Sequence, residues 1–229
     1  MRKIAVIIYG PPGSGKGTQA DLLAKALNLV HFDTGAQIEA VVYDPKNQNN
    51  KLIQKQRHTF DTGGICDPWW VAELAEKAFR KISKAGLGLV LSGSLRTLFE
   101  TFGDHKTKGL LKVLEEEYGR NNIFFFLLKV NPKSSIKRNS SRLICSVCGK
   151  PVLHQYLKQK PFGCPVCGGK LRARTLDNPA VIEKRLVAYQ AETAPVFAEL
   201  RKRGYKIAEV NGEPAPYVIQ KNILEKIKR

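Results

Sequence analysis

Gly10-Pro11-Pro12-Gly13-Ser14-Gly15-Lys16-Gly17-Thr18 constrains this chain more than any other stretch. It follows the apolar run Ile4-Ala5-Val6-Ile7-Ile8-Tyr9 and precedes Ala20, Leu23, Ala24 and Leu27, which recur at helical spacing. A glycine, four residues, then Gly15-Lys16 is the spacing of a phosphate-binding loop between a strand and a helix. Glycines let the backbone curl round phosphate oxygens, and N–H groups at the helix start point at the anion. Lys16 then reaches the terminal phosphates. An ordinary glycine-rich turn is the competing reading, and the strand before and helix after weigh against it.

The rest of the chain repeats the strand–helix alternation. Leu29 to Phe32 reads as a short strand ending at Asp33-Thr34-Gly35, and Gln37 to Val42 as a helix. Asp67-Pro68 has the form of an N-cap followed by proline at the first helical position, opening a stripe through Trp70, Val71, Leu74, Ala75, Ala78, Phe79 and Ile82. Gly86 to Leu91 and Ile123 to Val130 are uninterrupted apolar strands, as expected where crossover helices bury both faces. Asn178-Pro179 caps a long helix that Pro195 should kink and Gly204 should close. Tyr205 to Val210 makes a fifth strand, and a helix follows. The pattern predicts an α/β fold, a parallel sheet with helices on both faces and ligands at the carboxyl ends of its strands.

With 229 residues, there is room for one such domain plus insertions. No apolar run approaches the roughly twenty residues that cross a bilayer. The basic and mildly apolar N-terminus runs straight into the loop, so it reads as the first strand rather than a secretion signal. A cytoplasmic location is expected. The formal charge of +18 raises nucleic acid as a partner, but no aromatic stripe accompanies the basic residues, so nucleic acid ranks behind nucleotide.

From Arg138 to Arg174 the composition shifts to cysteine, glycine, proline and basic residues. Cys145-x-x-Cys148 and Cys164-x-x-Cys167 are fifteen residues apart, each pair followed by a glycine, Gly149 or Gly168. Four thiolates at this spacing make a closed tetrahedral Zn²⁺ site, which is structural because no position remains for water. Disulfides and a redox pair are the competing readings, disfavoured by a reducing compartment and by two pairs together. His154 is a competing ligand, and Cys66 is expected to be packed.

The sequence at this point resembles adenylate kinases with a zinc-bearing lid, over nearly the whole chain. The resemblance rests on the loop through Gln19, on Asp33-Thr34-Gly35 and Gly93-Ser94-Leu95-Arg96-Thr97, and on Arg138, Arg142, the four cysteines and Arg174. Lys184-Arg185-Leu-Val-Ala-Tyr189 and Thr193-Ala-Pro195 complete it. It implies a P-loop NTPase core with a parallel five-stranded sheet (1–33, 71–137 and 176–229), a helical monophosphate-binding insertion (34–70) and a small zinc-ribbon lid (138–175). It also implies transfer of the γ-phosphoryl of Mg-ATP to AMP, in nucleotide salvage and energy homeostasis, by a monomer. By resemblance, Gly10 to Thr18 hold ATP, with Mg²⁺ accompanying it. Thr34, Gly35, Gly93, Arg96 and Glu100 hold the monophosphate. Lys16, Arg96, Arg138, Arg142, Arg174 and Arg185 surround the transferred group.

Several positions depart from that family's pattern. Ala36 stands where an aspartate is usual and Glu39 where an arginine grips phosphate; Lys46, Lys51, Lys55 or Arg57 could take over. Ser92 replaces the aspartate that orders Mg²⁺ through water, with Asp33 as a nearby carboxylate; Gly17, where most P-loops carry the metal-binding Ser or Thr, with Thr18 one step later, instead matches the monophosphate-kinase form of the loop. Glu100 replaces a base-reading glutamine; a carboxylate only accepts, which suits the adjacent donors of guanine, or else it faces solvent. GMP or broad specificity is therefore an alternative, and a catalytically weakened nucleotide sensor or assembly factor another. A zinc-ribbon nucleic-acid ATPase is a third reading.

Overall fold

The computed structural model describes residues 3–152, 156, 162–173 and 177–228. The sheet orders five strands β2-β3-β1-β4-β8, all parallel: β1 (Ala5–Tyr9), β2 (Leu29–Asp33), β3 (Gly88–Ser92), β4 (Ile123–Lys129) and β8 (Ile207–Asn211). Central β1 is buried along its whole length because helices cover both faces. Its side chains alternate between two cores. Ala5, Ile7 and Tyr9 join Phe79, Leu114 and Leu200, whereas Val6 and Ile8 join Ala20, Leu23 and Ile223. The first core is filled by α4 (Pro68–Lys84), α6 (Leu110–Tyr118) and α9 (Ala194–Lys202), with Phe102 of the short α5 (Leu98–Phe102) packed against it; the second is filled by α1 (Lys16–Leu27) and α10 (Pro216–Lys228).

Two insertions leave this body. α2 (Thr34–Val42) and α3 (Lys51–Asp61) pack Ile38, Val42 and Ile53 against Cys66, Trp70 and Val71, a third small core. Cys66 is thus packed, as expected. After α7 (Pro132–Ser140), an antiparallel sheet ordered β6-β5-β7 forms the lid: β5 (Leu143–Cys145), β6 (Pro151–Val152) and β7 (Leu171–Ala173). Arg138 belongs to α7 itself, three residues before the helix ends at its C-cap, Ser141.

Two local expectations are modified. Asp67 occupies the N-cap position of α4 but its carboxylate does not cap; it accepts from Lys55 Nζ at 3.0 Å and Gln56 Nε2 at 2.7 Å, tying α3 to the helix start. Around Pro195 the chain widens rather than simply bending. α8 (Pro179–Ala188) passes through a π turn, Tyr189–Thr193, into α9. Proline lacks the N–H that an α turn would use, and the wide turn absorbs the missing bond. Tyr189 and Thr193, at the two ends of that turn, line the cavity described next.

Candidate functional site

A cavity of about 690 Å³ lies at the carboxyl ends of β1, β2 and β3, as the topology requires. The loop after β1 forms its floor. Of Gly10 to Thr18, every residue except Pro11 lines it, and the Pro11 carbonyl accepts from Lys16 Nζ at 2.9 Å. Nζ also donates to Gly10 O at 2.7 Å, so the amine is folded back over the loop. Gly13 is required by both conformation and space: its φ is +81°, and a Cβ there would lie 2.5 Å from Ser135 O. Ser135 Oγ in turn donates to Pro12 O, fastening the loop to α7.

Cations crowd the walls. Arg96, Arg138, Arg142, Lys150, Arg172 and Arg185 line the cavity with Lys16. Burial, then the charges of Arg185, Arg96 and Arg142, pull the Lys16 amine down to about 7, with Asp33 opposing. Arg142 grips Asp177 with two bonds, Nε to Oδ2 at 2.7 Å and Nη2 to Oδ1 at 2.6 Å, and Arg185 Nη1 lies 3.8 Å from the same carboxylate. Arg138 instead holds the loop after β8, donating to Gly212 O at 2.8 Å and Glu213 O at 3.0 Å. Arg96 follows Leu95, a fully buried residue in the left-handed region (φ 54°) whose carbonyl accepts from Tyr9 Oη at 3.3 Å. Arg174 and His154 lie outside the described residues.

On the opposite wall, Thr34, Gly35 and Gly93 line the cavity, and the Thr34 and Ser94 hydroxyls bond to each other. Glu39 lines it too, whereas Lys46, Lys51, Lys55 and Arg57 do not. Lys55 is engaged with Asp67, and Arg57 stacks on the Tyr43 ring at 4.4 Å. Glu100 neither lines the cavity nor faces solvent. It is 1% exposed and its Oε2 accepts from the Arg96 backbone N–H at 2.8 Å. Burial pushes its carboxyl above the ordinary range, against the pull of that N–H and of the Arg96 charge. The carboxylate therefore supports the loop that carries Arg96.

Asn139, Asp21, His31 and Lys150 line the cavity without having carried a sequence signal, and some lining groups are unsatisfied. Ser14 Oγ, both amide atoms of Asn139 and Thr193 Oγ1 are buried without a hydrogen-bond partner among the described residues. Buried polar atoms of this kind are costly unless a ligand satisfies them. Asp21, His31 and Lys150 also line the wall as a bonded chain.

In the lid, the four cysteine sulfurs lie within 4.8 Å of one another. Cys145–Cys167 and Cys148–Cys164 separations of 3.5 and 3.7 Å approach the edge of about 3.8 Å in a tetrahedral thiolate site. The Cys148 and Val147 N–H groups point at Cys145 Sγ, and the Cys148 N–H contributes most to lowering that thiol to about 6. Gly149 and Gly168 turn the two knuckles at φ +67° and +71°. The donor set is able to hold a metal ion.

A family model described as an AAA domain matches residues 9–142, more than half of the chain. The adenylate kinase of Petrotoga mobilis is 30% identical over 90% of this chain and 89% of its own length. That of Chlamydia pneumoniae is 30% identical over 96% and 95%, and that of Caldicellulosiruptor bescii 31% over 91% and 92%. The chain belongs to the adenylate kinase family. It is a phosphotransferase of the nucleoside monophosphate kinase type, and the four-cysteine cluster is consistent with the zinc-lid form. Among the described residues no helix is long and apolar enough to cross a membrane.

Proposed function

We propose that this chain transfers the γ-phosphoryl group of Mg-ATP to AMP, giving two ADP, in nucleotide salvage and energy homeostasis in the cytoplasm. The observation that carries the reading is one cavity holding the phosphate loop, Lys16, Arg96, Arg142 and Arg185 at the strand ends. The core (1–33, 71–137, 176–229) binds, the 34–70 insertion closes on the monophosphate, and the 138–175 lid closes on ATP.

Phosphoryl transfer asks little covalent chemistry of a protein, so positioning and charge neutralisation carry it. An oxygen of the acceptor's phosphate bonds to the γ-phosphorus as the bond to the β–γ bridging oxygen breaks, and ADP leaves with that electron pair. Gly10 to Thr18 and Lys16 cradle the ATP phosphates. Arg96, with Thr34, Gly35 and Gly93 around it, holds the acceptor, while Arg142 and Arg185 face the transferred group as a pair oriented by Asp177. Arg138 completes the cationic wall from α7, and the family resemblance gives Arg174 a place among the groups around the transferred phosphoryl. Mg²⁺ neutralises the phosphate oxygens when bound. Asp33 is the carboxylate that suits it: Oδ1 is spent capping α2, and Oδ2 lies 4.0 Å from where a Gly17 Cβ would stand. Zn²⁺ on Cys145, Cys148, Cys164 and Cys167 would hold the lid sheet together.

A second reading is a weakened nucleotide sensor, favoured by the Glu39 carboxylate on the acceptor wall, where it would repel phosphate. Mg-ATP offered with AMP, GMP, CMP or UMP, with diphosphate measured, separates the two. AMP-dependent ADP formation is expected; ADP release without an acceptor diphosphate would sink the kinase reading. Glu100→Gln should leave the AMP-to-GMP ratio unchanged, because the carboxylate bonds backbone rather than base. A shift toward AMP in that variant would return Glu100 to base selection and revive the GMP alternative.

A further inference from the structure

Asp21, His31 and Ser92 form a hydrogen-bonded chain that the transfer roles above leave unused. His31 Nδ1 lies 2.8 Å from Asp21 Oδ1, and His31 Nε2 lies 2.8 Å from Ser92 Oγ. A carboxylate only accepts, so Nδ1 carries the hydrogen. In the neutral ring Nε2 is then an acceptor, and the one hydrogen on Ser92 Oγ points at it. The hydroxyl is left with only lone pairs for the cavity, which it lines together with Asp21 and His31. An oxygen in that state turns phosphate oxygens away and orders donors, such as water, beside them. The other Asp21 oxygen, Oδ2, accepts from the lid residue Lys150 at 2.6 Å.

We propose that Asp21 and His31 are positioning residues of the phosphoryl-transfer site: they hold the Ser92 hydroxyl as an acceptor toward the cavity and, through Lys150, tie that arrangement to the docked lid. The proposal rests on the kinase reading above. Its physical core is that one carboxylate serves two donors. Burial works against a charged Asp21, yet the bonds from Lys150 and His31 outweigh it and keep the carboxyl below its usual range. When the lid lifts, Asp21 loses a charged partner, and its carboxylate, 30% exposed, turns toward water. His31 then loses the group that orients it, and Ser92 loses its fixed hydroxyl. The transfer site is fully organised only while the lid excludes water, when hydrolysis of ATP is least able to compete.

A double-mutant cycle tests the coupling. Lys150→Met and His31→Phe should each lower kcat about tenfold, and the double variant should fall about tenfold, not the hundredfold of independent sites. His31→Gln, whose amide has both a donor and an acceptor, should recover most of the loss. Additive effects, or single variants at the wild-type kcat, overturn the proposal. If His31→Phe does not fold, judged by thermal melting, Asp21→Asn takes its place in the cycle. Hydrogen exchange of the 143–152 segment with β,γ-imido-ATP bound reads the same cycle without turnover. Lys150→Met should speed exchange, with no further gain from His31→Phe; a further gain overturns the coupling. A wild type that turns over no monophosphate would defeat the kinase reading, and this second readout would still decide the coupling.

Discussion

Lys16 bears the sharpest conflict in the molecule. The chain needs a cation where phosphates bind, yet the site is buried and already lined by arginines. The amine is held near a pKa of about 7, and in that state it leans on the Gly10 and Pro11 carbonyls. Arrival of a polyphosphate reverses the balance and raises the pKa, so ATP binding near pH 7.5 should take up a fraction of a proton. Calorimetry in two buffers of different ionisation enthalpy measures this; equal apparent enthalpies would exclude it. The same shift has a stability consequence. Between about pH 7 and the ordinary lysine value of 10.5 the unfolded chain holds a proton that the folded chain lacks, so stability from this group rises with pH. The gap in melting temperature between wild type and Lys16→Met, without nucleotide, should move in favour of wild type from pH 7 to pH 9. A constant gap would argue against the depressed amine. Glu100 teaches a different lesson at this scale: a carboxylate replacing a base-reading amide is turned inward to hold the Arg96 backbone.

Among the elements, the lid is least able to stand alone. Its strands span three, two and three residues, and Val147, Val166 and Phe162 face solvent. The apolar area that these described strands bury is too small to offset the entropy of ordering the chain, and a metal held by the four cysteines would supply the difference. Removing the metal with a chelator should make the lid cleavable by protease within 143–173, while the core fragments survive and the main melting transition persists. Uncleaved, chelator-treated protein would show that the lid folds without metal. The π turn before Pro195 belongs to this scale too. The helix broken there carries Tyr189 and Thr193, at the two ends of the wide turn, and both line the cavity.

At the scale of the whole molecule, charge is unevenly placed. The stretch 118–176 holds twelve of the Lys and Arg residues and no Asp or Glu. It ends at Asp177, the acid that grips Arg142 and faces Arg185. Such a field raises the local concentration of an anionic substrate and is screened over about 8–10 Å at ordinary ionic strength. Raising salt from about 20 to about 500 mM should therefore lower kcat/KM for ATP by roughly tenfold or more, chiefly through KM. A salt-independent kcat/KM would assign the charge to some other partner.

What the sequence by itself determined is the local and the periodic. The phosphate loop, the buried strands and the two cysteine knuckles are written in short-range spacing, because strand burial, helix periodicity and thiolate geometry each act within a few residues. Asn178 capping α8 was legible for the same reason, whereas the cap that Asp33 puts on α2 went unread and Asp67 does not cap, since Gln56 and Lys55 compete for its carboxylate from another helix. Only the tertiary structure decided which cations share a cavity, that Arg138 faces the β8 loop while Arg142 faces Asp177, and that Glu100 is inside. It alone joined Asp21, His31, Ser92 and Lys150, residues from four parts of the chain. No spacing rule links them, because their hydrogen bonds exist only once the sheet sets β2 beside β3 and the lid folds back onto α1. The phosphate loop could be read as a binding site from nine residues; the charges and hydroxyls that act on what it binds are assembled by the fold.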